Sequence, residues 1–111
     1  MAYRKGDVVL VPFPFTDLSS TKTRPSVVVS IPNFERSTGD ITVAMITSTP
    51  RSTPYDCQLA DWRTAKLLFP SWVRAKLATL SPDLVRYRPG RLTDRDLALV
   101  ERRLRRALGL S

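Results

Sequence analysis

The sequence predicts a mainly β fold, a small barrel-like sheet with one helix at its C-terminal end. Short β-branched runs alternate with segments rich in Pro, Gly, Ser and Thr over most of the chain, which is typical of several short strands joined by turns. The final stretch instead repeats apolar residues every three or four positions, as one face of a helix does. The chain has 111 residues with no internal repeat, linker or low-complexity segment. We therefore expect residues 1–111 to form a single domain.

Three strands are predicted in the first half of the chain. Residues 8–11 are a β-branched apolar run behind a Gly-Asp turn, and we expect Pro12 to end this strand because proline has no N–H for the ladder. The second strand is predicted at 25–31 and the third at 41–47. The polar segments predicted as loops or connectors are 16–23, 32–39 and 48–54.

The second half is less regular until its last stretch. A short strand is expected at 55–59, and residues 62–69 are either a helical turn or extended chain. In residues 72–80, Val73, Ala75 and Leu77 alternate with Arg74, Lys76 and Ala78, which predicts a half-exposed strand. Residues 84–88 are either a further strand or a short helix.

The clearest predicted element is a C-terminal helix. Thr93 is a good N-cap, and Gly109 is a favourable stop. Asp94 and Asp96 would place negative charge at the positive start of the helix, and four arginines crowd its last turns, where the dipole favours cations. The apolar face consists of Leu97, Val100, Leu104, Ala107 and Leu108.

The composition restricts the possible chemistry. Lys and Arg number 18 against 10 Asp and Glu, a net charge of +8, and most of the 18 are arginine, whose planar fork suits phosphate. This balance favours a nucleic-acid partner. The chain has no histidine, which excludes histidine general acid–base catalysis, Ser-His-Asp triads and His-ligated zinc. With one cysteine and no apolar run long enough to span a membrane, we expect a cytoplasmic protein.

Two polar loops after strand ends offer a candidate site. Both the loop before Arg24 and the loop after Thr47 contain hydroxyl groups and cations. If the second and third strands pair, Arg24 and Thr47 would converge at one rim of the sheet. By spacing alone, however, the pattern favours two solvated loops with local Ser and Thr turns over a functional site.

Several blocks of the chain, taken in order, resemble the PemK/MazF family of toxins. Residues 6–17 read GDVVLVPFPFTD, and residues 22–29 read KTRPSVVV. An Ile-Thr-Ser block follows at 46–48, and a Pro-Ser pair at 70–71 opens the strand before the terminal helix. Any one block is weak, but their order over nearly the whole chain is fairly specific.

The resemblance implies an SH3-like β-barrel with a terminal helix, the fold of MazF-type and CcdB-type toxins, assembled as a homodimer. It implies an endoribonuclease that cuts single-stranded RNA without a metal or other cofactor, usually at a short preferred sequence. The 2′-hydroxyl would attack its own phosphate and leave a 2′,3′-cyclic phosphate and a 5′-hydroxyl. The implied partner is a cognate antitoxin whose acidic, flexible tail blocks the site, with DNA contacted only through the antitoxin complex.

Carried over by position, Arg24 matches the catalytic arginine of the family and Thr47 its catalytic threonine. Arg24 would stabilise the charge of the phosphorane and is also a candidate to protonate the leaving oxygen, and Thr47 would hold the phosphate or orient the 2′-hydroxyl. The structural alternatives are an arginine that anchors its loop and a threonine that caps a strand. The residues expected to contact RNA are Phe15, Thr16, Asp17, Lys22, Thr23, Ser48, Arg51, Ser71 and Lys76.

The chain departs from the family pattern in two places. Many members have a Glu and a double Gly in the first loop, and this chain has neither there. On the later strand, an acidic residue followed by Gln is common, whereas the corresponding pair here is Ala75-Lys76. A candidate general base is therefore missing, and Asp17 is the nearest replacement carboxylate in sequence.

Two other functions stay open at the level of sequence. A gyrase poison resembling CcdB would share the fold and act through the tip of its terminal helix, although the Arg-Pro and Ile-Thr-Ser blocks favour the nuclease. A basic barrel that binds RNA or DNA without cutting it would show salt-sensitive binding and no product ends. Trp62 and Trp72 are predicted to serve the core or the dimer interface.

Overall fold

A computed structural model describes residues 3–13 and 22–111 of the chain. Within these residues, the strands are β1 (Asp7–Phe13), β2 (Lys22–Val28), β3 (Ile41–Thr47), β4 (Cys57–Gln58), β5 (Trp72–Leu80) and β6 (Tyr87–Arg91). The helices are α1 (Pro32–Thr38) and α2 (Asp94–Leu108), with a 3₁₀ turn at Pro82–Leu84. The predicted class, mainly β with a C-terminal helix, is confirmed.

The strands form one antiparallel sheet in the order β4-β5-β3-β2-β1-β6. This sheet curls into a half-barrel, and α2 packs against β4 and β5. The second and third strands do pair, which is the condition under which Arg24 and Thr47 were expected to converge, since Ser26 lies opposite Met45 and Val28 opposite Val43.

Both faces of the curled sheet are covered, which explains why its central strands are almost continuously apolar. One buried cluster contains Val8 and Val27 and is completed by Val100 of α2. The other contains Val9 and Val43, which point the opposite way because successive side chains alternate across a strand. A strand buried on both faces reads as an apolar run instead of an alternation.

Two strand boundaries differ from the prediction because proline is tolerated where a strand has a free side. β1 continues past Pro12, and β2 begins before Pro25. β6 pairs with β1 only as far as Leu10, and β3 pairs with β2 only from Ser26. Each proline therefore lies where one side of its strand has no described partner, and the missing N–H costs no ladder bond there.

The segment predicted as a connector at 32–39 contains a helix, α1. Pro32 stands in its first turn, where a missing N–H is harmless, and Gly39 ends it with a φ of 79°. β2 accordingly ends at Val28, short of the predicted residue 31, as the chain turns toward this helix. α1 buries none of its residues, so it carries no apolar stripe that periodicity would detect.

β5 confirms the predicted strand at 72–80, but its predicted inner face is wrong beyond Val73. Ile46 pairs with Val73 and Ala44 with Leu77, so three residues of β5 stand opposite one residue of β3. The extra residues break the alternation. Val73 is buried, whereas Ala75 and Leu77 are exposed.

The segments between the regular strands of the second half are short and mostly built of turns. The strand expected at 55–59 is shortened to Cys57–Gln58. Residues 60–66 form a run of turns, and residues 67–69 follow without regular structure. The segment at 84–88 combines the end of a 3₁₀ turn with the start of β6. Trp62 is partly buried and packs against the first core cluster.

The terminal helix agrees with its prediction at both ends. Thr93 caps the start of α2, and its hydroxyl accepts a hydrogen bond from the N–H of Asp96 at 3.4 Å. Gly109 ends the helix with a φ of 71°. In the part of the chain that the structure describes, no helix is both long and apolar enough to cross a membrane.

Candidate active site

The pairing of β2 with β3 brings the two predicted catalytic residues to the same end of the sheet. Ser26 lies opposite Met45. Arg24 and Thr47 each lie two residues further along their strands toward that end. Arg24 is exposed, and Thr47 is partly buried as the last residue of β3. One side chain from each strand therefore lies at this rim.

Arg24 and Thr47 line one cavity of about 380 Å³, a size that suits a small ligand or part of a larger one. Its polar lining residues are Arg24, Thr47, Ser48, Lys66 and Ser71. Its apolar and aromatic lining residues are Leu10, Pro25, Ile46, Leu67, Leu68, Phe69, Tyr87 and Pro89. One part of the lining thus comes from strands β1, β2, β3 and β6, and another from residues 66–69, where the turns end.

The turns at 60–66 are held against α2 by two carboxylates. Asp96 is 2% exposed and accepts hydrogen bonds from the backbone N–H groups of Ala60 and Asp61, at 3.0 and 2.8 Å. Asp61 accepts from the Thr93 hydroxyl at 2.6 Å and pairs with Arg95 at 2.6 Å. The sequence predicted only that the charge of Asp96 interacts favourably with the helix dipole. In the structure its carboxylate also holds the turn by these two hydrogen bonds.

The Asp61 carboxylate keeps its charge well into the acid range. Its hydrogen bonds with Arg95 and then with Thr93 lower the pKa of Asp61 to about 2. A depressed carboxyl pKa adds stability above the ordinary carboxyl pKa, and this contribution is lost as the pH falls toward about 2. The anchor of the turn is therefore intact at neutral pH.

Gly90 allows β6 to pass close to the end of the same turns. A Cβ at this position would lie 2.4 Å from the carbonyl oxygen of Ala65 and 2.9 Å from Cγ of Lys66. Only glycine permits so close an approach between β6 and a neighbouring backbone. The wall of the cavity is thereby fixed against β6 as well as against α2.

Two hydroxyl groups in the cavity take part in local hydrogen bonds. Oγ1 of Thr47 accepts from the N–H of Thr49 at 3.1 Å, which is the strand-end turn expected as the structural alternative for this residue. A hydroxyl that accepts one bond still has its own proton to donate. Ser71 is 4% exposed and donates to the carbonyl oxygen of Phe69 at 2.7 Å. Ser71 therefore braces the wall at Phe69.

The charges of the cavity are of one sign. Among the described lining residues, Arg24 and Lys66 are cations and none is Asp or Glu. Such a concave surface attracts anions.

The Cys57 thiol takes no part in the site, because burial raises its pKa to about 11 and leaves it neutral. Across the described ranges, no group of three or more Asp, Glu or Cys side chains is arranged to hold a metal ion.

The predicted RNA contacts are divided between places. Ser48 and Ser71 line the cavity, whereas Thr23 is exposed on β2 outside its lining. Arg51 and Lys76 line a separate cavity, where Nε of Arg51 lies 3.6 Å from the Asp56 carboxylate. The residues that lie outside the described ones are Phe15, Thr16 and Asp17, together with the side chain of Lys22.

Among the lining residues that the sequence did not single out, three have an aromatic or cationic side chain: Lys66, Phe69 and Tyr87. Phe69 and Tyr87 are 60% and 62% exposed beside the cavity, and their only sequence signal is an aromatic side chain next to a predicted boundary. No local sequence feature marked Lys66 as a lining residue. Its position in the cavity follows from the turn that ends there.

Comparison with known proteins identifies the family to which this half-barrel belongs. The family model described as PemK-like, MazF-like toxin of type II toxin–antitoxin system matches residues 4–108. The chain belongs to this family. Among curated proteins, no sequence matches this PemK/MazF-like toxin significantly.

Solved structures with the same fold include further toxins of this kind. An endoribonuclease in complex with its cognate antitoxin, from a mycobacterial species, is 25% identical to this PemK/MazF-like toxin with a TM-score of 0.82, over 99% of this chain and 98% of that one. A chain of the MazE–MazF crystal structure (Form-III) from Deinococcus radiodurans is 21% identical with a TM-score of 0.78, over the whole of both chains. The resemblance predicted from the sequence blocks is confirmed.

Proposed function

We propose that this toxin is an endoribonuclease that cuts single-stranded RNA. The observation that carries the proposal is the cavity shared by Arg24 and Thr47, whose described lining has two cations and no carboxylate. Such a site favours a phosphate over a neutral or cationic ligand. The net charge of +8 adds long-range attraction for a polyanion.

The aromatic part of the cavity supports an unpaired substrate. Phe69 and Tyr87 present exposed rings beside the phosphate-binding side, and unpaired bases stack on such rings whereas paired bases have no free face. A neighbouring cavity of about 390 Å³ shares Ser48 and Phe69 with the first and extends to Trp72. A phosphate in the first cavity would thus have room for an adjacent base in the second.

The proposed reaction uses only the RNA and proton transfers. The 2′-oxygen attacks the adjacent phosphorus and loses its proton to a base. The bond from phosphorus to the 5′-oxygen breaks, and the leaving 5′-oxygen takes a proton from the Arg24 guanidinium or from water. Arg24 would stabilise the added charge on the phosphorane. Thr47 would donate its hydroxyl proton to a non-bridging oxygen while still accepting from Thr49. For the base, Asp17 remains our candidate.

The same proposal includes the partners that the family resemblance implies. We propose a homodimer, and a cognate antitoxin whose acidic, flexible segment occupies the cationic cavity in place of RNA. Charge complementarity supports this competition, because an acidic peptide and an RNA backbone would both meet Arg24 and Lys66. The expected compartment is the cytoplasm, where RNA and antitoxin are available.

The proposal is tested by incubating the purified protein with a long single-stranded RNA in excess EDTA and mapping the product ends. We expect discrete cuts that carry 5′-hydroxyl and 2′,3′-cyclic phosphate ends, with no cutting of the same sequence as a duplex. A folded, antitoxin-free protein that makes no cuts contradicts the proposal. DNA-damage signalling on overexpression would then indicate a gyrase poison, and salt-sensitive RNA binding without cuts would indicate a binding protein.

Replacing Thr47 tests the hydroxyl that the mechanism needs. We expect Thr47→Ala to lower the single-turnover cleavage rate roughly hundredfold, because a hydrogen-bond donor to the transition state is lost, and to abolish growth arrest. Thr47→Ser is the matched control, since it keeps the hydroxyl and should cut within about threefold of the parent rate. Equal rates for Thr47→Ala and Thr47→Ser would show that the residue only caps its strand.

A further inference from the structure

Lys66 has a backbone conformation that is unusual for a lysine. Its φ is 66°, and it is the only residue other than glycine with a positive φ in the described part of the chain. It ends the turns at 60–66, and its N–H bonds to the carbonyl oxygen of Arg63 at 3.0 Å. Glycine adopts this left-handed conformation at little cost, whereas a Cβ crowds the backbone there. Lys66 therefore carries a backbone cost that glycine would avoid at this position.

Lys66 belongs to the candidate active site. It lines the same cavity as Arg24 and Thr47. Its stem lies over Gly90, since a Cβ at Gly90 would meet Lys66 Cγ at 2.9 Å. The stem therefore rests on the one position of β6 that has no side chain, and the rigid turn behind it is anchored to α2 through Asp96.

The ammonium group of Lys66 has no carboxylate to neutralise it among the described residues. No salt bridge or side-chain hydrogen bond joins it to another described residue. The neighbouring Arg63, on the same turns, instead stacks over the ring of Trp62 at 4.6 Å from its centroid and does not line the cavity. Of the two cations on these turns, Lys66 is the one that lines the cavity.

We propose that Lys66 is a substrate-binding residue that holds an RNA phosphate next to the scissile one. This inference rests on the proposed ribonuclease function. Arg24 and Thr47 come from the strand ends, and Lys66 comes from the turn that forms a different part of the lining. A phosphate bound at the strand ends leaves Lys66 to contact a neighbouring part of the RNA backbone. A lysine ammonium offers three donors as a compact point charge, which suits a single phosphate.

The test compares Lys66→Gly with Arg63→Ala and Lys66→Arg. The probe is an RNA of the mapped cut sequence with a 2′-deoxy nucleotide at the scissile position, which binds but lacks the attacking hydroxyl. We expect Lys66→Gly to weaken binding roughly tenfold at low salt. The slope of log affinity against log salt should fall by about 0.7, the value for one phosphate contact on a single strand. Lys66→Arg should restore both.

Stability separates this role from a structural one. Glycine relieves the left-handed strain, so the melting temperature of Lys66→Gly should be no lower than that of the parent while its RNA binding is weaker. Arg63→Ala removes the same charge from the same turns and should leave the salt slope unchanged. The single-turnover rate at saturating RNA should change little for Lys66→Gly, because the lost contact acts on binding.

Three results would overturn the inference: an unchanged affinity and salt slope for Lys66→Gly, an equal loss for Arg63→Ala, or an affinity that Lys66→Arg does not restore. Each leaves the proposed function standing if the parent protein still cuts RNA. A parent protein that makes no cuts contradicts the proposed function itself. The cleavage map of the parent protein therefore tells the two failures apart.

Discussion

Arg24→Ala is expected to lower the single-turnover rate of RNA cleavage roughly a hundredfold to a thousandfold. The phosphorane carries one more negative charge than the ground state, and Arg24 is the guanidinium among the described residues that line the cavity. Its loss therefore raises the energy of the transition state more than that of the bound RNA. Cells that express the variant should grow without arrest.

The fold should survive this change, because Arg24 is exposed at the end of β2 and belongs to neither buried cluster. Circular dichroism and the melting temperature check this directly. Arg24→Lys keeps the charge but not the planar fork, so its cleavage rate should lie between those of the parent protein and Arg24→Ala. Arg36→Ala is the matched control, since it removes an exposed arginine on α1 outside the cavity. Cleavage by Arg24→Ala at the rate of Arg36→Ala would remove Arg24 from the mechanism.

Asp96→Ala is expected to lower the free energy of unfolding by about 3 kcal/mol. The carboxylate is 2% exposed and accepts from the N–H groups of Ala60 and Asp61, both of which would lose their acceptor. The turns at 60–66 would loosen, and with them the part of the lining that includes Lys66 and Phe69. Cleavage measured well below the melting temperature should therefore fall as well.

Asp94→Ala is the control for Asp96→Ala because both residues lie in the first turn of α2. Asp94 is exposed, so its loss removes only the favourable interaction with the helix dipole, about 0.5 kcal/mol. Asp96→Asn keeps one acceptor oxygen, so its loss of unfolding free energy should lie between those of the two alanine variants. Urea unfolding of the three variants measures the differences. Equal losses for Asp94→Ala and Asp96→Ala would show that Asp96 acts through the dipole and not as a tether.

The parts of this fold that follow from local pattern were predictable, and the exceptions have physical reasons. The terminal helix has a cap, an apolar face and a glycine stop in one continuous stretch, and both of its ends agree with the prediction. α1 has no apolar stripe because it buries no residue. The inner face of β5 changes beyond Val73 because an irregularity in the pairing with β3 shifts its register.

The candidate site was likewise predictable in part from the sequence and in part only from the tertiary structure. The sequence by itself determined the class of fold, the family resemblance, the absence of histidine chemistry and the choice of Arg24 and Thr47, since each depends on residue identity and order. Only the tertiary structure decided that Lys66 and Phe69 share the cavity with them and that Arg51 and Lys76 line another one. These relations depend on long-range contacts, such as Asp96 with Ala60 and Gly90 with Ala65. Contacts between residues so far apart in the chain leave no periodic or local signal in the sequence.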